Sequence, residues 1–226
     1  MCKDEYGPVP TSVIEAGRAL FYRDYQNGNW ERHFVRNDRS STLKIAPNDS
    51  HLQLLVDRIE TPIGEMLIVA DRDGNLRATF WTDREAQLHD ALRRRYGENG
   101  FTLEPASNPH GLTNAIGRYF AGELTAIDSL PVKTAGTPFQ CEVWRALREI
   151  SCGTTLSYGK LAARIGRPNA VRAVGLANGS NPVGVVVPCH RVIGSDGSLT
   201  GYGGGIERKR WLLEHESKHA VFRLHG

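Results

Sequence analysis

The chain has 226 residues, 40% of them hydrophobic and 23% charged, with a formal net charge of +3, which indicates one large or two small globular domains. It contains neither a signal peptide nor an apolar run near the ~20 residues of a membrane-spanning helix, so we expect a cytoplasmic protein. Its 4 cysteines are scattered without a CxxC pair, which argues against a zinc ribbon or a thioredoxin-like site and indicates reduced thiols.

The charge is distributed unevenly along the chain. Residues 137–226 hold 12 basic against 6 acidic side chains, whereas residues 51–136 hold 9 basic against 12 acidic ones. Clustered basic charge favours a polyanionic partner such as nucleic acid, although scattered arginines can equally form a solvated face.

Residues 1–50 form an N-terminal extension of unknown role, in which we find no chemistry. Its Gly-Pro and Asn-Gly-Asn turns, together with a polar stretch at 37–41, predict a loosely ordered segment. The interval from Ser12 to Tyr25 could form a helix, but it has little to pack against. We expect that deleting the extension leaves the activity of the remaining chain intact.

Residues 51–136 predict a small α/β domain that begins with a β-hairpin. The apolar segments Met66 to Ala70 and Leu76 to Trp81 have the composition of strands. The sequence Asp-Arg-Asp-Gly-Asn at 71–75 between them is typical of a turn.

Helices are predicted to follow the hairpin. Thr82 and Glu85 have the spacing of a capping box, which predicts a helix running towards Tyr96. A second helical stretch covers residues 111–121. Residues 130–136 then resemble a linker to the rest of the chain.

A third predicted helix begins at residue 137. Thr137 can cap it, Pro138 suits its first turn, and Gln140 stands at the capping-box position. Apolar residues continue from there at helical spacing, which is most simply the core-facing side of the helix.

Two short helices joined by a tight turn come next, which is the pattern of a helix-turn-helix motif. Ser157 can cap the first helix, which extends through Ile165, and Asn169 can cap the second over residues 170–178. The second helix carries small residues and a single long basic side chain, Arg172. Small residues allow close approach either to a neighbouring helix or to a DNA groove into which Arg172 would project.

The chain's clearest chemical signal is a cysteine followed by a histidine and an arginine. The apolar run 183–187 predicts a strand that Pro188 would end, which would place Cys189 at the strand end beside His190 and Arg191. A neighbouring base or cation can turn such a thiol into a nucleophile. Taken alone, a buried and inert cysteine is the commoner outcome.

The surrounding motifs resemble the catalytic domain of the O6-alkylguanine-DNA alkyltransferases. The matching segments are Thr137-Pro138-Phe139-Gln140, Ser157-Tyr158-Gly159, Arg172-Ala173-Val174-Gly175, Asn181-Pro182, Pro188-Cys189-His190-Arg191-Val192, and Gly201-Tyr202 leading to Trp211-Leu212-Leu213-Glu214-His215-Glu216. The resemblance implies an α/β N-terminal domain, ribonuclease H-like, and a mainly α C-terminal domain with a winged-helix-like helix-turn-helix. A separate cysteine-rich domain is lacking, as in the short constitutive bacterial type.

The resemblance also implies the roles of the catalytic residues. Cys189 would accept the alkyl group from O6 of guanine, and His190 would remove the thiol proton through a water molecule. Glu216 would orient the histidine and stabilise its charge, which is the nucleophile, base and carboxylate arrangement of hydrolases. Asn181 would bridge the helix-turn-helix to the active-site strand, and Tyr158 would donate a proton to N3 of the base.

The implied partner is double-stranded DNA containing O6-alkylguanine, bound through its minor groove with the damaged nucleotide flipped out. Arg172 would fill the gap left in the DNA helix, while Ala170 and Ala173 would allow close approach. The base pocket would be lined by Tyr202, Gly203 and Val192. The protein would act as a monomer and be consumed by one transfer. We expect no cofactor and no metal, since residues 51–136 lack the cysteines of a structural zinc site.

Three other functions are compatible with parts of this pattern. A non-catalytic helix-turn-helix protein would bind DNA and carry an incidental cysteine. An alkyltransferase-like protein would bind lesions without repairing them, but that class replaces the acceptor cysteine, which is present here. A cysteine hydrolase using Cys189 and His190 would turn over repeatedly on a small ester.

Overall fold

The structure of the protein is a computed structural model that describes the backbone of Val13–Ala16, Ala19–Arg23, Trp30–His33 and residues 51–221. The chain divides into two compact units, formed mainly by residues 3–49 and by residues 50–226. No helix in the described ranges is both long and apolar enough to cross a membrane.

The described residues of the first unit form three strands in the order β1 (Val13–Ala16), β2 (Ala19–Arg23) and β3 (Trp30–His33), paired antiparallel. The helix that the interval from Ser12 to Tyr25 could have formed is therefore absent from its described residues, which are strands. Gly17 costs about 1 kcal/mol relative to Ala inside a helix, and the β-branched and aromatic residues on either side of it favour strands once a partner strand is available.

The second unit begins with a sheet of four strands in the order β6-β5-β4-β7. The strands are β4 (Leu52–Ile59), β5 (Met66–Asp71), β6 (Leu76–Trp81) and β7 (Phe101–Pro105). The predicted β5–β6 hairpin is confirmed. Strand β5 is buried along its whole length, so it forms the centre of the core. Strand β7 pairs parallel with β4, and its short sequence does not predict this long-range pairing.

The helices α1 (Glu85–Tyr96) and α2 (Leu112–Phe120) lie close to their predicted positions. The capping box predicted at Thr82 is not formed. Thr82 belongs to a 3₁₀ turn, and both its backbone N–H and its hydroxyl donate to the carbonyl oxygen of Glu65, at 3.0 and 3.3 Å. The residue thus ties the hairpin together and is not available to the helix.

The predicted linker is attached to this sheet. The N–H of Leu76 donates to the carbonyl of Pro131 at 2.8 Å, and the N–H of Lys133 donates back to Leu76 at 3.0 Å. These bonds form a short parallel bridge beside β6. The linker therefore extends the sheet on its way to the C-terminal helices.

The C-terminal part consists of α3 (Pro138–Arg148), α4 (Tyr158–Arg164), α5 (Val171–Gly179) and α6 (Ile206–Val221). Two short parallel strands, β8 (Leu156–Ser157) and β9 (Val192–Ile193), pair before α4 and after the cysteine segment. Together with the sheet this architecture confirms the predicted fold class. Helices α4 and α5 form the helix-turn-helix.

Two of the three predicted caps in this part are present. The Thr137 hydroxyl accepts from the Gln140 N–H at 3.2 Å, and the Gln140 side chain accepts from the Thr137 N–H at 2.9 Å. The Ser157 hydroxyl accepts from the Lys160 N–H at 3.2 Å. The cap predicted at Asn169 is wrong, because α5 begins one residue later and Ala170 occupies the N-cap without a side-chain bond.

One hydrophobic cluster spans both parts of the second unit. It joins Ile68 of β5 and Ile116 of α2 to Val143 of α3 and Leu161 of α4, all of them fully buried. A polar contact adds to it, since the Trp144 indole N–H donates to the carbonyl of Ala177 at 2.8 Å and joins α3 to α5. The helix-turn-helix is therefore held by the same core as the sheet.

Candidate active site

The segment leading to Cys189 is a compact loop. The strand predicted over residues 183–187 is not formed, because Val183 makes a single bridge to Thr79 and Val185 has a left-handed φ of 69°. The hydroxyl of Thr79 donates to the carbonyl of Gly184 at 2.8 Å, which holds the turn against β6. Cys189 then begins one turn of 3₁₀ helix that ends at Arg191.

Asn181 holds this loop from within. Its side-chain N–H donates to the carbonyl of Val187 at 2.7 Å, and its side-chain oxygen accepts from the N–H of Val183 at 3.0 Å. Because Asn181 lies just after α5, a single amide connects the helix-turn-helix to the loop that carries the thiol.

The Cys189 thiol is buried, with 6% of the residue exposed. Burial raises the pKa of Cys189 above its ordinary value, although the hydrogen bond from Asn181 and the charge of Lys209 act in the opposite direction. The sulfur is therefore a thiol at neutral pH, and it needs a base to become a nucleophile.

His190 is fully buried and is oriented by Glu216. Its Nε2 lies 2.9 Å from Oε1 of Glu216. An ionised carboxylate only accepts hydrogen bonds, so Nε2 carries the proton and Nδ1 carries the lone pair. Nδ1 is buried and has no protein partner in the part of the chain that the structure describes. Burial lowers the pKa of His190, and the charges of Arg191 and Lys209 lower it further against the opposing effect of Glu216.

Glu216 is held as a carboxylate by several donors. Arg191 donates from Nε to Oε2 at 2.9 Å and from Nη2 to Oε1 at 2.8 Å, and the Gly153 N–H donates to Oε2 at 3.3 Å. Burial alone would raise the pKa of Glu216. The charges and hydrogen bonds of His190 and Arg191 outweigh that effect and hold it well below its usual range. Glu216 therefore remains a fixed negative acceptor.

Lys209 is a second buried cation near the thiol. Its Nζ donates to the carbonyls of Val192 and Thr200, at 2.6 and 2.7 Å. Burial lowers the pKa of Lys209 to about 8, while the charge of the Cys189 thiolate form raises it. The cation thus fixes the backbone of Val192 and contributes positive potential at the sulfur.

Tyr202 lies over the histidine. The Tyr202 and His190 rings are 6.4 Å apart in an edge-to-face arrangement, and burial raises the pKa of Tyr202 well above its ordinary value. Gly204 lets the ring sit there, because a Cβ on Gly204 would lie 2.4 Å from Trp81 Nε1 and 2.6 Å from Tyr202 Cε1. Gly203, which follows Tyr202 directly, is exposed.

The helix-turn-helix presents its second helix to solvent. Arg172 and Ala173 are exposed, and Ala170 is half-buried. Tyr158, the first residue of α4, is half-buried, and its ring passes close enough to α5 that a Cβ on Gly175 would lie 3.9 Å from it. The structure thus places the predicted DNA-binding residues on one motif, next to the loop that carries Cys189.

Comparison with known proteins agrees with this arrangement. The sequence profile of the 6-O-methylguanine DNA methyltransferase DNA-binding domain matches residues 138–218, and that of the ribonuclease-like domain of the same proteins matches residues 54–134. The chain belongs to the 6-O-methylguanine DNA methyltransferase family. Residues 1–53 lie outside both matches.

Relatives of this methyltransferase include the methylated-DNA–protein-cysteine methyltransferases of Salmonella typhimurium and Mycolicibacterium paratuberculosis. They are 52% and 46% identical over 73% and 74% of this chain, and the matches cover 96% and 94% of their own lengths. Among solved structures, Mycobacterium tuberculosis OGT in complex with DNA matches 74% of this chain and 94% of its own with a TM-score of 0.61 and 41% identity. The O6-methylguanine-DNA methyltransferase of Pyrococcus kodakaraensis matches with a TM-score of 0.56 and 26% identity, covering 72% and 98%.

Sequence reasoning missed two contributors to the site of this methyltransferase. Lys209 stands in a run of charged residues that is typical of a solvated helix face. Its spacing of three and seven residues before Leu212 and Glu216 was the available signal, because those positions share one side of a helix. Tyr119 lies in the ribonuclease-like part, where nothing local indicates chemistry, yet its hydroxyl donates to Glu216 at 2.8 Å.

Proposed function

We propose that this methyltransferase repairs DNA by moving the alkyl group of O6-alkylguanine onto the sulfur of Cys189 in one displacement. The carbon–sulfur bond forms as the bond between that carbon and O6 breaks, and the electron pair of the broken bond stays with guanine. The product is a thioether, which no neighbouring group can cleave. Each molecule therefore repairs one lesion and is inactivated, without any cofactor or metal.

His190 is the general base of this reaction. Its Nδ1 takes the thiol proton through a water molecule, and the carboxylate of Glu216 stabilises the imidazolium that forms. The support for these roles is the fixed bond between Nε2 and Glu216, which leaves the lone pair on the other ring nitrogen. Asn181 keeps the sulfur in place.

Residues of the base pocket stabilise the negative charge that develops on the departing guanine. Tyr158 donates a proton to N3, while Tyr202 and the Gly203 N–H lie near O6, and Val192 completes the base pocket. The edge-to-face contact of the half-buried Tyr202 ring with His190 supports this assignment. The same pocket accepts O4-alkylthymine, which presents an alkylated oxygen of the same kind.

The protein binds double-stranded DNA as a monomer through the minor groove. Helix α5 enters the groove, with Ala170 and Ala173 allowing close approach, and the damaged nucleotide is flipped into the pocket at a cost of a few kcal/mol. Arg172 takes the place of the extruded base. The exposure of Arg172 on the helix that leads directly to Asn181 supports this geometry. We place this activity in the cytoplasm.

The single observation that carries the proposal is a buried thiol beside a histidine that a carboxylate orients. The test mixes the protein with duplex DNA that carries one radiolabelled O6-methylguanine and follows the label onto protein. Wild type and Cys141→Ala, which changes another buried cysteine, should each take one equivalent, and Cys189→Ala should take none.

Other outcomes would separate the alternative functions. Tight binding of the DNA without transfer would make the protein a lesion or operator binder. Repeated turnover on a small ester, with no label on the protein, would indicate a cysteine hydrolase.

A further inference from the structure

A tyrosine from the ribonuclease-like part reaches the catalytic carboxylate. Tyr119 lies in α2 and is fully buried, and its hydroxyl donates to Oε1 of Glu216 at 2.8 Å. The same oxygen accepts from His190 Nε2 at 2.9 Å. The hydrogen-bond direction is fixed, because burial and the charge of Glu216 raise the pKa of Tyr119 well above its ordinary value and keep its proton in place.

Helix α6 holds Tyr119 from the other side. His215 Nε2 lies 2.8 Å from the carbonyl oxygen of Tyr119, and the two rings are 5.4 Å apart edge to face. The Phe120 ring packs against Tyr119 at 5.3 Å and against Trp211 at 5.9 Å. The tyrosine is therefore a rigid donor that packs against α6, the helix that carries Glu216.

Oε1 of Glu216 thus serves three donors at once. Arg191 Nη2 lies 2.8 Å from it, at the same distance as the Tyr119 hydroxyl. Each donor draws on the negative charge of one oxygen atom, so each reduces the share that acts on His190. A carboxylate that is partly neutralised in this way still orients the His190 ring. It does not stabilise the imidazolium so strongly that the ring is protonated on both nitrogens before the reaction.

We propose that Tyr119 is a positioning residue for alkyl transfer, which fixes Glu216 Oε1 and limits the negative charge that this oxygen directs at His190. The ribonuclease-like part thereby completes the reaction centre. This rests on the proposed function of Cys189 and His190. Tyr119 touches neither the substrate nor the thiol in this scheme, and it acts through Glu216 alone.

The effect of Tyr119 on pH dependence follows from the groups around the pair. The titratable and charged groups that face the cluster of His190, Glu216 and Tyr119 from the packed elements are Cys152, Cys189, Arg191, Tyr202, Lys209 and His215. Replacing Tyr119 by Phe removes only the hydroxyl oxygen and keeps the ring. Its loss leaves more negative charge for His190, which stabilises the imidazolium and raises the pKa of His190.

The test measures single-turnover transfer from O6-methylguanine duplex by wild type, Tyr119→Phe and Tyr96→Phe between about pH 5 and about pH 9. Tyr96 is a half-buried tyrosine at the end of α1, and it packs against a separate group of buried residues that includes Leu67 of β5 and Leu88 of α1. Tyr119→Phe should react roughly tenfold more slowly at pH 7, with its acid limb shifted upward by roughly one pH unit. Tyr96→Phe should match wild type in both.

A second measurement follows the His190 ring by NMR during a pH titration, and it should show the same upward shift in Tyr119→Phe. A uniform rate loss with an unmoved acid limb and an unmoved titration would mean that Tyr119 is merely structural, and would overturn the inference. Equal rates and profiles in wild type and Tyr119→Phe would do the same. Failure of wild type itself to take the label would instead refute the proposed function, so the two failures are distinguishable.

Discussion

At the scale of single residues, burial acts on the thiol and the imidazole in opposite directions. It raises the pKa of Cys189 and lowers the pKa of His190, so both groups are uncharged at neutral pH. A neutral thiol beside a neutral imidazole is the combination in which one can give a proton and the other can take it. In the proposed reaction Glu216 would then stabilise the imidazolium, and Lys209 would stabilise the thiolate, of the ion pair that the proton transfer creates.

These shifts predict the pH dependence of transfer. The imidazole pKa lies below its ordinary value of 6.5, so the base is lost only when the pH falls below that value. The thiol pKa lies above its ordinary value of 9.0, so little thiolate forms spontaneously at lower pH. Single-turnover rates of the wild type, measured with protein in excess, should therefore stay level from about pH 8 down to about pH 6.5.

His190→Gln supplies the control for this prediction. Without a base it should react about 100-fold more slowly at pH 7. Its rate should then climb about tenfold per pH unit, because only the spontaneous thiolate reacts. A flat profile in the variant would show that His190 is not the base.

At the scale of elements, α5 has an unusual surface. Leu176 and Val171 are the exposed large hydrophobic residues among the described side chains, at 71% and 39% exposure, and both lie on this helix. Leu176 follows Arg172 by one helical turn, so the two share a face. We expect the Leu176 side chain to contact the deoxyribose walls of a minor groove, because an exposed apolar side chain gains free energy when it is removed from water.

Leu176→Ala tests this reading of the helix. The variant should bind lesion-containing duplex roughly fivefold more weakly, because it loses part of an apolar contact worth ~0.8 kcal/mol per methylene. The salt dependence of binding should not change, since no charge is removed. Fluorescence titration at two salt concentrations measures both quantities.

Thermal unfolding serves as the control, and the melting temperature should be unchanged because Leu176 is exposed in the free protein. Unaltered affinity of the folded variant would place Leu176 outside the interface.

At the scale of the whole molecule, the two family-matched segments form one body. Their shared core, the bridge between Thr79 and Val183 and the bond from Tyr119 to Glu216 all join residues 54–134 to residues 138–218. Residues 3–49 form a compact unit of their own. No residue of the proposed reaction centre comes from that unit.

Deleting residues 1–50 should therefore leave repair intact. The remaining chain keeps every group that the reaction needs, together with the continuous core that positions them. We expect one equivalent of label per truncated molecule at the rate of the full chain, and a single urea transition in which tryptophan fluorescence and circular dichroism coincide. A large loss of transfer, or two separate transitions, would contradict this.

Much of the molecule was predictable from neighbours in the sequence. The β5–β6 hairpin, the caps at Thr137 and Ser157, and the helix-turn-helix depend on residues within a few positions of one another, so their patterns are visible in one dimension. The local prediction failed where a distant partner competed. Thr82 bonds to Glu65 instead of capping a helix, and the loop before Cys189 is shaped by Thr79 and Asn181 instead of extending as a strand.

By itself, the sequence determined the family and the helix-turn-helix and predicted the nucleophile and its histidine, because these are carried by residue types at short spacings. Only the tertiary structure decided which side chains contact one another in the proposed reaction centre. His190 meets a carboxylate 26 positions away, and that carboxylate meets a tyrosine 97 positions away. Contacts between residues so far apart in the sequence form only after the chain has closed large loops. Burial of the core offsets the entropy lost in closing those loops, and no local sequence pattern encodes that gain.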